Sequence, residues 1–288
     1  MSSESASTQT ASPAAGSSSP PALPPQLLLH KTAIITGAST GIGRAIALEY
    51  ARHGCHICIN YYDPYPATSS QQPSLISTLR SEISSLPQPP GHIVKFVAIE
   101  GDISLPQTAT TLVSEAVKAF GHVDIFVSNA GICQFHEFLS LPPELLTSTI
   151  NTNLTGAFLA TQAAANQMAR QGNGGSIIGI SSISALVGGG GQAHYTPTKA
   201  GVLSLMQSCA VALGKYGIRC NAILPGTVRT RLNDADLEDE GKRAYMEGRV
   251  PLGRLGVPRD VAGPAVFLAS ELSGFYFPHH PNSNCASK

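Results

Sequence analysis

Thr36-Gly37-Ala38-Ser39-Thr40-Gly41-Ile42-Gly43-Arg44 decides how the rest of the chain is read. It follows a short apolar run, Thr32–Thr36, and opens an amphipathic stretch, Gly41–His53, so it reads as a strand, a glycine-rich turn and a helix. Glycines there permit a tight turn and let backbone N–H groups approach a pyrophosphate at the positive end of the helix. Taken alone, such a turn is weak evidence, because an ordinary strand-to-helix loop can carry the same glycines.

Working outward, the same alternation continues to the last helix. Further strand candidates are His56–Asn60, Ile93–Ala98, Asp124–Ser128, Ser176–Ile180 and Arg219–Leu224, all short and rich in Ile or Val. Strands of that kind are buried on both faces, as in a parallel sheet. The helix candidates between them are Pro73–Leu86, Pro106–Phe120, Pro142–Gln171 and Ala193–Gly214, with Pro258–Ala269 last. Several begin with Pro and end near Gly. This alternation predicts an α/β fold with one doubly wound parallel sheet. Asp63–Gly91 is expected to carry a surface loop on each side of its helix, and the charged stretch Leu232–Arg249 is expected to form a lid.

The 288 residues hold 18 Lys and Arg against 18 Asp and Glu, and only 12% are charged. A neutral chain without basic runs lacks the field that draws proteins to nucleic acid or anionic lipid, which argues against both functions. No apolar run approaches the roughly 18 residues of a membrane span. Residues 1–29 are read as a disordered tail, because Met1 to Pro25 contains eight Ser and five Pro and a single charge, Glu4. That segment has neither the basic start and apolar stretch of a secretory signal nor the arginines of a transit peptide, so a cytoplasmic location is expected. The six cysteines are expected to be reduced. Cys55 and Cys58 form a C-x-x-C, but on a strand their sulfurs point to opposite faces, so no metal site is expected.

Further features follow in order: Asp102 after the third strand, Asn129-Ala130-Gly131 after the fourth, Asn153, Ser182, Tyr195-Thr196-Pro197-Thr198-Lys199 and Pro225-Gly226. With the Gly-x3-Gly-x-Gly turn, this series resembles the short-chain dehydrogenase/reductase family over about Lys31 to Ser270. The resemblance implies a single Rossmann domain over residues 30–272 that binds NAD or NADP. It implies catalytic roles for Asn153, Ser182, Tyr195 and Lys199. For the nucleotide it implies contacts from Gly37, Ser39, Gly41, Ile42, Gly43, Tyr61, Asp102, Ile103, Asn129, Ala130, Gly131, Tyr195, Lys199, Pro225, Gly226, Val228 and Thr230.

Chemistry supports those roles. A tyrosine serves as a base near neutral pH only if its pKa of about 10 is lowered by about 3, roughly 4 kcal/mol. Lys199, four residues after Tyr195 on one helix face, is expected to supply much of that lowering. Ser182 stands at the carboxyl end of the fifth strand, where open α/β sheets bind ligands. The end of the second strand, where an acid usually holds the adenosine ribose, carries Tyr61 instead, and no basic residue replaces it. Use of both NAD and NADP is expected.

Gly175–Gly189, His194–Gly201, Ala212–Thr227 and Tyr245–Arg249 resemble one branch of that family, the fungal L-rhamnose 1-dehydrogenases. This narrower resemblance implies oxidation of the anomeric carbon of an aldose to a lactone. Gln134, Ser184, Gln192 and His194 are candidate substrate residues; the bland reading of such loop side chains is that they are solvated. Cys133, Gln134 and Phe135 fall in the region that, the resemblance implies, lines the substrate pocket. The resemblance breaks at residues 273–288, where two prolines replace the seventh strand through which family members form tetramers. A sixth strand with an exposed edge and a doubtful tetramer are therefore expected. A 3-oxoacyl or other carbonyl reductase, and an inactive truncated nucleotide-binding member, remain alternatives.

Overall fold

A computed structural model describes residues 26–63 and 71–276. Most of the predicted N-terminal tail, part of the loop after the second strand and most of the C-terminal tail therefore lie outside the described residues. Six strands, β1 (Thr32–Ile35), β2 (His56–Tyr61), β3 (Phe96–Glu100), β4 (Ile125–Ser128), β5 (Gly175–Ile180) and β6 (Ile218–Ile223), form one sheet in the order β3-β2-β1-β4-β5-β6. Every pairing is parallel. The order reverses between β1 and β4, and the crevice outside their carboxyl ends is where such sheets bind ligands.

Helices α1 (Gly41–Arg52), α2 (Gln71–Ser85) and α9 (Pro258–Ala269) accompany one core, on one face of the sheet; α3 (Pro106–Phe120), α5 (Gly156–Gln171) and α6 (Thr196–Leu213) cover the other. β1 shows why the strands read as unbroken apolar runs: Ile35 packs into the first core and Ile34 into the second. Cys55 and Cys58 likewise enter opposite cores, as strand geometry demands. The chain ends of the sheet are locked over long sequence distances. Tyr50 donates its hydroxyl to the Ala265 carbonyl at 2.9 Å, and Ser176 donates to Leu268 at 2.9 Å.

Three expectations change. The long helix over Pro142–Gln171 is interrupted: α4 (Pro143–Ile150) passes through a π-helical turn, Asn151–Thr155, before α5 begins. The third strand starts at Phe96 rather than Ile93, whose side chain is 80% exposed. The fold includes part of the segment read as a tail, since Leu28 is fully buried in the core and its N–H bonds the His53 carbonyl at 3.1 Å. At the other end, no strand follows β6 among the described residues, and no backbone hydrogen bond there pairs its outer edge, as expected; only side chains join it to the segment after α9. Arg219 donates to Leu268, Ser270 and Ser273, and Asn221 donates to the Tyr276 carbonyl, so the turn after α9 folds back along β6.

α7 (Asp234–Leu237) and α8 (Glu240–Gly248) make up the charged stretch after β6. Lys242 pairs with Asp236 and lies 4.8 Å from the centre of the Phe135 ring, which holds this stretch against the loop that follows β4.

Candidate active site

The glycine-rich turn is built against the end of β4 by a dense set of hydrogen bonds. The Thr36 hydroxyl accepts the N–H groups of Asn129 (2.9 Å) and Ala130 (3.0 Å), while the Asn129 amide donates back to the carbonyls of Thr36 (2.9 Å) and Gly37 (3.0 Å). Two glycines make this approach possible. A Cβ on Gly43 would lie 2.5 Å from the Asn129 amide nitrogen, and one on Gly37, whose φ is +61°, would lie 2.7 Å from the Ala130 Cα. Asn129 is thus a brace between two loops.

No side chain caps the start of α1, although Thr40 occupies the cap position. An uncapped helix N-terminus presents N–H donors and positive potential to an anion. The loop after β6 closes on the same turn: the Thr230 methyl group is 3.6 Å from where a Gly41 Cβ would stand. That loop is held by Asn233, whose amide donates to Val228 and whose carbonyl accepts the Thr230 N–H at 2.9 Å. The donor set, the missing cap and the glycine cradle all suit a pyrophosphate. Farther along the crevice, the Asp102 carboxylate accepts the Ser104 N–H at 2.9 Å, and Ile103 is buried where Gly156 of α5 passes closely. Asn233 was not among the sequence candidates; an asparagine in a charged loop carries no signal until its partners are known.

Ser182, Tyr195, Lys199 and Asn153 come together beside this crevice. Tyr195 is the N-cap residue of α6, with φ −89° and ψ −48°, so the four-residue spacing to Lys199 keeps both on one side as the sequence predicts. The Lys199 ammonium lies 5.6 Å from the centre of the Tyr195 ring and donates to the Ile180 carbonyl at the end of β5 at 2.9 Å. Ser181 fastens the same helix by donating to the Lys199 carbonyl at 2.7 Å. Asn153 sits in the π-helical turn and makes three side-chain hydrogen bonds: its side-chain carbonyl accepts the Ile132 N–H at 2.7 Å, and its amide donates to Ile132 and Thr198. π-turns occur preferentially where a helix must aim a functional side chain. Gly131 leaves room here, since its Cβ would lie 3.3 Å from the Asn153 carbonyl oxygen and 3.4 Å from the Lys199 ammonium.

Without the nucleotide, burial dominates the electrostatics of the pair. Burial pushes the Tyr195 hydroxyl up to about 12, with the Cys133 thiol adding to the effect and the Ser182 hydrogen bond opposing it. Lys199 is brought down to about 8, again mainly by burial. The lysine therefore does not by itself make Tyr195 a base, because the loss of solvent outweighs what a lysine directed at the Ile180 carbonyl can supply.

Of the substrate candidates, Gln192 donates to the Cys133 sulfur at 3.4 Å, and the space over Gly189 accommodates its carbonyl oxygen. The His136 N–H bonds the Gly191 carbonyl at 2.9 Å, joining the two walls. Ser184 donates its N–H to the Ser182 hydroxyl, and Gln134 is exposed on the Cys133 side. His194 is placed differently: it is 1% exposed, and neither ring nitrogen has a hydrogen-bond partner among the described residues. The other three are at least partly exposed.

A family described as enoyl-(acyl carrier protein) reductase matches residues 37–277. The chain is 59% identical to the L-rhamnose-1-dehydrogenase of Scheffersomyces stipitis over 249 residues, 86% of this chain and 92% of that protein. It is 55% identical to the L-rhamnose 1-dehydrogenase (NAD(P)(+)) of a Sphingomonas species, over 87% and 93% of the two chains. Among solved structures, a short-chain type dehydrogenase/reductase from Mycobacterium marinum matches with a TM-score of 0.77 at 32% identity, covering 90% of this chain and 98% of that one.

Proposed function

The chain belongs to the short-chain dehydrogenase/reductase family, and from that premise we propose that it oxidises the anomeric carbon of L-rhamnose to a lactone with NAD(P)+. The observation that carries the reading is the Ser182–Tyr195–Lys199 cluster at the carboxyl edge of the sheet, its tyrosine and lysine buried, in a chain so similar to named L-rhamnose dehydrogenases.

The residues of the turn after β1, the loop after β4 and the Pro225–Thr230 segment hold the dinucleotide. When bound in its oxidised form, it supplies the hydride acceptor and a positive charge. Ser182 donates a hydrogen bond to the oxygen on C1 of the sugar and fixes its position. Tyr195 accepts the proton from that hydroxyl as the C1 hydride leaves. Such proton transfer by a positioned side chain is worth about 10²–10⁴ in rate. Lys199, with donors to spare beyond Ile180, stabilises the tyrosinate and holds the ribose. Asn153 keeps the loop at Ile132 and the N-terminus of α6 in register and orders a water that leads from Lys199 to solvent. Gln192, Gln134 and Ser184 read the sugar hydroxyls; a site built on hydrogen bonds rejects ligands that leave those bonds unmade.

No helix among the described residues is long and apolar enough to cross a membrane. A cytoplasmic enzyme fits that and the neutral composition. Assembly into an oligomer fits the apolar side chains left exposed on α4, α5 and α6, among them Ile150, Phe158 and Val211. A panel of aldoses with NAD+ and NADP+, run beside ketone reduction with the reduced nucleotides, tests the reading. Reduction of either nucleotide by L-rhamnose in preference to other sugars supports it. Ketone reduction without aldose oxidation would replace it by a carbonyl reductase.

A further inference from the structure

The adenosine end of the crevice carries a feature that the loss of an acid at the end of β2 conceals. Tyr61 is the last residue of β2 and is paired in register with Glu100, the last residue of β3. Register partners project to the same face of a sheet, and the Tyr61 hydroxyl donates to the Glu100 carboxylate at 3.4 Å. An acidic group at the end of the second strand is the usual partner of the adenosine ribose. Here a carboxylate comes from the neighbouring strand and is met by the tyrosine hydroxyl. One oxygen of Glu100 is engaged by Tyr61, and the other is open to accept a ribose hydroxyl.

Cations that could hold a 2′-phosphate are missing from the surrounding segments. Residues 36–43, 60–70 and 101–105 contain no Lys or Arg. The basic residue that follows the glycine turn, Arg44, is committed elsewhere. It forms a two-pronged ion pair with Glu82 of α2, both contacts at 2.9 Å, and it holds the Glu82 carboxyl below its ordinary range.

We propose that the Tyr61–Glu100 pair is the determinant of nucleotide choice in this chain and sets a preference for NAD+ over NADP+. The proposal rests on the dinucleotide-dependent oxidoreductase reading above and deepens it. Glu100 accepts a hydrogen bond from the ribose of NAD+ and repels the 2′-phosphate of NADP+. Because the carboxylate is exposed, the repulsion is moderate and screened by salt.

Calorimetric titration of the full chain with NAD+ and with NADP+ tests this without any turnover. The wild type is expected to bind NAD+ about tenfold more tightly than NADP+ at low salt, with the gap narrowing as salt is raised. Glu100→Gln is expected to close most of the gap by tightening NADP+, and to abolish its salt dependence. Tyr61→Phe retains the charge but releases the carboxylate, so NAD+ affinity falls severalfold while NADP+ affinity does not rise. Equal affinities in the wild type, or an unchanged NADP+ affinity in Glu100→Gln, would overturn the proposal while leaving the dehydrogenase reading intact. Binding of neither nucleotide by any of the three proteins would instead overturn that reading itself.

Discussion

Around Lys199 most polar groups, the His194 ring excepted, are claimed within the protein, whereas the wall formed by Gln192, Cys133 and Phe135 is held by half-buried and exposed contacts. Asn153 makes three hydrogen bonds, Thr198 donates to the Tyr195 carbonyl at 2.6 Å, and Ser181 closes the helix onto β5. The wall, by contrast, depends on a thiol contact between Gln192 and Cys133 and on Lys242 lying over Phe135, with Asp236 beside it. The buried region has one arrangement available, because any displaced donor or acceptor would be left unpaired at a cost of about 1–3 kcal/mol. The exposed region can move at little cost, since water replaces each lost contact. If proton transfer belongs to the rigid cluster and sugar recognition to the adaptable wall, as proposed, changes in the two regions should produce different kinetic signatures.

The largest effect is expected from Tyr195→Phe, which keeps the ring and removes the proton acceptor. kcat for sugar oxidation should fall by about 10³-fold or more, with NAD+ affinity unchanged within a few-fold, as read by turnover and by nucleotide titration on one preparation. Substantial turnover in this variant would break the comparison at its rigid end. Next comes Gly43→Ala, which drives a methyl group into the Asn129 brace 2.5 Å away. Nucleotide affinity should fall by about tenfold or more, because the turn cannot yield without opening the bonds to Thr36 and Gly37. Lys242→Ala is expected to do much less. Loosening the Phe135 contact should raise the sugar KM by about two- to fivefold and leave kcat and nucleotide affinity where they were, since exposed pairs of this kind contribute under about 1 kcal/mol.

The smallest effect concerns the far end of the sheet. His56 stacks on His92 at 5.2 Å, and burial, with the neighbouring His92 next in importance, lowers its pKa to about 4. The unfolded chain takes up this proton near pH 6.5 and the folded chain only near pH 4. The contribution of His56 to stability is therefore complete above pH 6.5 and is lost as the pH falls through that window. The melting temperature should decline from pH 7 to pH 4.5, and the decline should be shallower in His56→Gln.

Much of the architecture is legible in the sequence because a parallel sheet covered on both faces writes each strand as an apolar run, and because glycine positions such as Gly37 and Gly43 admit no other side chain. The catalytic quartet is legible for a related reason: spacing on α6 and position at strand ends place Ser182, Tyr195 and Lys199 before any coordinates are known. The π-helical turn around Asn153 is not, since its residues would continue an α-helix equally well and only the partners Ile132 and Thr198 favour the wider turn. The upward push of burial on Tyr195 was not legible either, because spacing reveals a neighbouring cation but not the solvent lost by both groups. Leu28 was masked by a Ser- and Pro-rich composition that ends just before it. The Tyr61–Glu100 pair depends on strand register, which no single-strand pattern encodes.

The account stands or falls on the hydride that leaves C1. L-Rhamnose carrying deuterium at C1, incubated with the full chain and NAD+, should yield reduced nicotinamide bearing the deuterium and a sugar lactone without it. Retention of the label in the sugar, or an unlabelled reduced nicotinamide, would contradict the account.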